Sequence, residues 1–84
     1  MNDFLLTFRS VTPAQRGEGI IKRAGLPCTL QRTPRHLEEQ GCGYSLRIRS
    51  RDIVAAMELL RTHGVAYQKV YALRESGKLE ELRL

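Results

Sequence analysis

The stretch Thr33-Pro34-Arg35-His36-Leu37-Glu38-Glu39-Gln40-Gly41-Cys42-Gly43-Tyr44 is the longest connection between two runs that read as regular structure, and each side of it reads strand, helix, strand. Upstream, Asp3 to Arg9 sets Phe4, Leu6 and Phe8 on one parity against Leu5, Thr7 and Arg9 on the other, the period of a strand with one face in a core. Thr12 then offers an N-cap, Pro13 a first helical position and Gly25 a terminator. Between them Ala14, Gly17, Ile20, Ile21 and Ala24 share a helical stripe, while Gly17 and Gly19 each cost about 1 kcal/mol relative to alanine. Pro27 to Gln31 reads as a short second strand with Cys28 in phase with Leu30.

Downstream of the connection, Gly43 to Arg49 alternates Tyr44, Leu46 and Ile48 with Ser45, Arg47 and Arg49, which predicts a third strand. Ser50 is placed to cap a second helix built on Ile53, Ala56, Met57 and Leu60, with Asp52 in its first turn and Gly64 after its last. Tyr67 to Leu73 reads as a fourth strand. Its parity is open: Val70 and Ala72 inside would expose Tyr67 and Tyr71 as an interface, and the converse would make the tyrosines core. Residues 75–84 read as a polar C-terminal tail or a short helix carrying Leu79, Leu82 and Leu84.

The order β-α-β-β-α-β predicts an α+β fold of the ferredoxin-like kind: a four-stranded antiparallel sheet, two helices on one face, and a single domain over residues 1–74. In that topology the long connection lies at the end of the sheet where the first helix begins. Cys42 is expected beside Arg9, Ser10 and that helix N-terminus, and Cys28 at the opposite end. The separation is well over the ~7 Å that a disulfide tolerates.

Eighty-four residues make one small domain, burying about 60% of the surface of its unfolded chain. Hydrophobic content of 42% and charged content of 27% place it among folded globular chains. The longest apolar run, Ile53 to Met57, is far short of a membrane span, and no basic segment followed by a long apolar run opens the chain, so a cytoplasmic location is expected. Two cysteines do not make a disulfide framework there and read as free thiols. A net charge of +5 without a polybasic block suits an anionic ligand, an acidic protein surface or weak nucleic-acid contact.

Glycines on both sides of Cys42 remove neighbouring Cβ atoms, which suits a close approach to the sulfur. A helix N-terminus and arginines lower a thiol pKa, and Arg35 lies on the connection with Arg47 and Arg9 on adjacent strands. The competing reading makes Cys42 a small, partly buried residue at a strand start, with the glycines serving a turn. Cys28, in phase with Leu30, reads as core.

The helix ending Ala24-Gly25-Leu26-Pro27, then Thr33-Pro34-Arg35, then Cys42-Gly43 running into Ser45-Leu46-Arg47, resembles the family of small bacterial selenium/sulfur carrier-like proteins over nearly the whole chain. Pro34, Arg35, Cys42 and Gly43 match its proline-arginine and cysteine-glycine pairs. The family segment is often serine-rich where this chain has Leu37-Glu38-Glu39-Gln40-Gly41. The resemblance implies a carrier that holds sulfur or selenium on Cys42 as a persulfide or its selenium analogue. It implies a protein donor such as a cysteine desulfurase, a protein acceptor, and carrying in place of turnover.

Three rivals stand beside it. A nucleic-acid module of the same topology would stack bases on aromatics of the central strands, where this chain has Thr7, Ser45 and Arg47. A metal site would draw on Cys28, Cys42, His36 and His63, which lack C-x-x-C or H-x-x-x-H spacing; no metal and no cofactor are expected. The main alternative is a non-catalytic adaptor or small-ligand regulatory domain, acting as a homodimer or on a partner through the sheet face or through Leu79 and Leu82.

Overall fold

A computed structural model describes residues 3–34 and 43–82, as an α+β arrangement of five strands and two helices. The elements run β1 (Asp3–Phe8), α1 (Val11–Arg23), β2 (Thr29–Arg32), β3 (Tyr44–Arg49), a 3-10 turn (Ser50–Asp52), α2 (Ile53–Thr62), β4 (Val70–Leu73) and β5 (Leu79–Leu82). The sheet is antiparallel throughout, in the order β2-β3-β1-β4-β5. The expected four strands are therefore corrected to five. The segment read as a tail or short helix contains β5, which pairs Leu79 with Leu73 and Leu82 with Val70.

A tight hairpin attaches β5. Arg74 N–H donates to the Lys78 carbonyl at 2.9 Å, Gly77 N–H donates to the Arg74 carbonyl at 2.8 Å, and Gly77 takes φ +87°. This is the three-residue type of hairpin loop, closed by a residue in the left-handed region where glycine carries no Cβ penalty.

Even-numbered strand residues face the helices. Leu6, Phe8, Leu46, Ile48 and Val70 form one cluster with Ala14, Ile20 and Ile21 of α1 and Ile53, Ala56 and Leu60 of α2, so both helices pack on one face. Both helices end in paired turns of the Schellman type. Leu26 N–H reaches the Ile21 carbonyl and Gly25 N–H the Lys22 carbonyl; Val65 and Gly64 repeat the pattern on Leu60 and Arg61. The glycines have φ +86° and +71°.

The helix starts differ from expectation. The N-cap position of α1 is Ser10, two residues ahead of Thr12, so Pro13 falls inside the first turn, where a missing N–H costs nothing. Ser50 opens the 3-10 turn and does not cap α2. β2 is shifted to Thr29–Arg32 and β4 shortened to Val70–Leu73.

The tyrosines do not share a face. Val70 and Ala72 are buried on the helix side, Tyr67 precedes β4 and packs against the helix-side core, and Tyr71 lies on the opposite face, only 6% exposed. That helix-free face is closed at its centre: Leu5, between Arg47 and Tyr71 in the ladder, is 1% exposed. Among the described residues no helix is long and apolar enough to cross a membrane.

The two glycines of α1 differ. A Cβ on Gly17 would stand 3.2 Å from Leu60 Cδ2 and 3.3 Å from Leu46 Cδ1, whereas one on Gly19 would meet only the Arg23 guanidinium, at 3.8 Å. Gly19→Ala is therefore expected to stabilise the protein by about 1 kcal/mol through helix propensity. Gly17→Ala should gain less, because Leu60 and Leu46 must give way. Urea midpoints of the two variants check the difference.

Candidate functional site

The long connection leaves the sheet after β2 and returns at β3, and the two ends are clamped together. Thr33 N–H donates to the Gly43 carbonyl at 3.0 Å, one rung beyond the Arg32–Tyr44 pair that ends the β2–β3 ladder. Thr33 is a diagonal neighbour of Ser45, and their hydroxyl oxygens lie 2.6 Å apart. Both residues are buried, Ser45 completely. Two hydroxyls removed from water and satisfying each other make a directional fastening that an apolar pair would not.

Gly43 is part of this closure. A Cβ on it would sit 3.1 Å from Thr33 Oγ1 and 3.7 Å from the Phe8 carbonyl oxygen. The space beside Gly43 is thus filled by a hydroxyl needed for the fastening, and its φ is not in the left-handed region. Packing, more than a sharp turn, requires glycine here.

Register sets what surrounds this end of the sheet. Phe8 is opposite Tyr44, so the chain leaving β1 through Arg9 and Ser10 passes beside Gly43, and α1 starts there. Ser10 has extended backbone and makes no side-chain cap hydrogen bond, and the first turn of α1 holds no acidic residue. The partial positive charge of the helix end is therefore uncompensated by its own first turn. The Arg32 guanidinium lies 5.6 Å from the centre of the Tyr44 ring. Arg16 donates to the His63 carbonyl at 3.4 Å, at the C-terminus of α2. The chain that follows α2 returns to this end, where Gln68 N–H donates to the Thr7 carbonyl at 2.7 Å.

Of the residues singled out in the sequence, Pro34, Gly43 and Arg9 come together here. Arg35 and Cys42 lie outside the described residues, as does His36. Arg47 is placed elsewhere: four residues along β3 from Gly43, ~13 Å at strand rise, its Nε donates to Asp3 Oδ2 at 2.8 Å. Arg32, Arg16 and the Thr33–Ser45 pair were not singled out in the sequence. The alternation of β2 and β3 does put Thr33 and Ser45 on one face, but the register pairs Ser45 with Gln31 and leaves Thr33 its diagonal neighbour.

Cys28 is remote from this end. It precedes β2, level with Ile48 beyond the Thr29–Arg47 pair, ~16 Å along the ladder from Gly43. It packs against the core, and its Sγ contacts the Glu18 carbonyl oxygen at 4.0 Å. Burial first, and then the Glu18 carboxylate, push the Cys28 thiol above its ordinary value, against a smaller lowering by Lys22. Among the described residues no three His, Cys, Asp or Glu side chains gather as a metal site.

The family model described as "Putative Se/S carrier protein-like" matches residues 3–72. The chain belongs to this family. The match runs from β1 into β4 and spans the clamped connection, whereas β5 lies beyond it. Comparison with curated proteins and with solved structures gave no match.

Two outcomes are expected from this geometry. Thr33→Val should cost about 1–3 kcal/mol by leaving the Ser45 hydroxyl buried and unpaired, and adding Ser45→Ala should recover part of that loss; a urea double-mutant cycle measures it. The raised Cys28 pKa means that the fold favours the neutral thiol. Its contribution to stability is full below the unfolded thiol pKa and falls as pH rises through the folded one. Thermal melts between pH 7 and 10 should show an alkaline decline that is smaller in Cys28→Ala.

Proposed function

We propose that the chain carries sulfur or selenium on Cys42, in the segment Pro34-Arg35 to Cys42-Gly43. The observation that supports this most is the family match across residues 3–72, which includes that segment whole. The contrast between the cysteines adds to it, since Cys28 is a shielded, raised thiol at the other end of the sheet. The reading takes the first four strands and two helices as a ferredoxin-like core to which β5 is added.

The step is a sulfane transfer. Cys42 thiolate attacks the terminal sulfur of a donor persulfide, forming a new S–S bond as the donor's S–S bond breaks and the donor leaves as thiolate. An acceptor thiolate then attacks the outer sulfur of the Cys42 persulfide and releases Cys42 as thiolate. Electrons balance without an oxidant, and selenium takes the place of the transferred sulfur atom in the same scheme. Arg35 and Arg9 stabilise the anion, while Arg47 is assigned to its Asp3 ion pair. Donor and acceptor are proteins, and the activity is carrying, without turnover of a free substrate.

Intact-mass spectrometry after exposure to a persulfide donor tests this. A gain of one sulfur or selenium, reversed by reductant, absent in Cys42→Ser and retained in Cys28→Ser, is the expected result. No adduct on Cys42 would remove the carrier reading and favour an adaptor or regulatory domain, whose partner binding Cys42→Ser leaves intact.

A further inference from the structure

Most of the described carboxylates are engaged by a cation, and Glu38 and Glu39 of the connection lie outside the described residues. Asp3 is engaged by Arg47, Glu18 by Lys22, Asp52 by Arg51, Glu58 by Arg61 and Glu80 by Arg74. Glu75 and Glu81 belong to the β4–β5 hairpin, at the far edge of the sheet from β2 and β3. At the Gly43 end, by contrast, three exposed arginines come from three separate elements. Arg9 leaves β1 next to Phe8, Arg32 ends β2 across from Tyr44, and Arg16 reaches the α2 terminus from α1. β1 and β2 flank β3 at about 5 Å each, so Arg9 and Arg32 sit on either side of the strand that Cys42 leads into. Arg32 lies over a ring face, and Arg16 donates to a carbonyl at the C-terminus of α2, whose partial negative charge offsets part of its own; neither arginine is held by a carboxylate.

Resting on the carrier reading, we infer that this end is the docking surface for the donor, and that the donor presents its persulfide within an acidic protein surface. Charge complementarity selects that partner. Positive potential around the entry to β3 draws an anionic surface in and disfavours a basic one. Nucleic acid is the weaker match, because Thr7, Ser45 and Tyr71, the central residues of the helix-free face, are buried and offer no open stacking platform.

The test compares alkylation of Cys42 by anionic iodoacetate and neutral iodoacetamide, read by peptide mass spectrometry in the unmutated chain. Taking the rate ratio cancels the thiolate fraction, and the urea-unfolded chain supplies the reference. At low salt the folded chain should favour iodoacetate about fivefold over that reference. The preference should vanish in 0.5 M salt and in an Arg9→Glu, Arg16→Glu, Arg32→Glu variant, and should fall partway in Arg9→Gln. A ratio equal to that of the unfolded chain overturns the inference.

A second arm loads Cys42 from anionic glutathione persulfide and from cationic cysteamine persulfide. Faster loading from the anionic donor, lost in the triple variant, supports the inference. Equal loading from both overturns it while leaving the carrier reading standing, and loading from neither overturns the carrier reading itself. A single-stranded oligonucleotide that binds at physiological salt and is lost with the same substitutions would assign the arginines to nucleic acid and overturn the acidic partner.

Discussion

Everything in this fold depends on β1 being buried on both faces. Leu6 and Phe8 pack under the two helices, while Leu5 and Thr7 are covered on the opposite side, and the strand is hydrogen-bonded to β3 and β4 at once. A strand in that position has no edge and little exposed side chain, so its register fixes its neighbours. Phe8 opposite Tyr44 puts the exit of β1, the start of α1 and the entry to β3 at one end of the sheet. Had β1 slipped by one residue, Leu6 and Phe8 would have left the core together.

The same pairing separates the two chemical environments of the chain. Cys28 enters β2 at the opposite end from Gly43, where burial and the Glu18 carboxylate both oppose its ionisation. The Gly43 end gathers arginines and the N-terminus of α1, which favour a negative charge, together with the C-terminus of α2, which Arg16 covers. Cys28 packs against the core with its pKa raised, and Thr33 and Gly43, which bracket the segment that holds Cys42, are joined beside a buried hydroxyl pair. Thr33 and Ser45 satisfy one another at 2.6 Å, and a Cβ at Gly43 would press on the Thr33 hydroxyl at 3.1 Å. The fastening is local, polar and dry, which makes it sensitive to single substitutions.

The β5 hairpin adds a different kind of protection. It lies outside the family match and covers the free edge of β4 with a short strand bearing Glu80 and Glu81. Charged, short edge strands resist pairing with other chains. The other edge, β2, is equally short and ends in Arg32 beside the clamped connection.

Much of this was legible in the residues alone. The alternation of Phe4, Leu6 and Phe8, the helical spacing of Ile53, Ala56 and Leu60, and Gly25 and Gly64 as terminators depend only on neighbours within a turn or two, so the sequence by itself determined the order of the first four strands and two helices and the core-facing parity of β1 and β3, while that of β4 stayed open. The fifth strand was also written there, in Arg74-Glu75-Ser76-Gly77-Lys78 between two leucine-bearing runs, but its polar composition resembled a tail. Neither helix start carries a side-chain cap hydrogen bond, at Ser10 for α1 or at Asp52 for α2, so the cap residues read in the sequence did not fix where the helices begin. Only tertiary structure decided the burial of Leu5 and Tyr71, the union of Thr33 with Ser45, the engagement of Arg47 by Asp3, and the reach of Arg16 to the end of α2. Each of these joins residues far apart in the chain, and their proximity follows from strand register and helix docking, which no local pattern encodes.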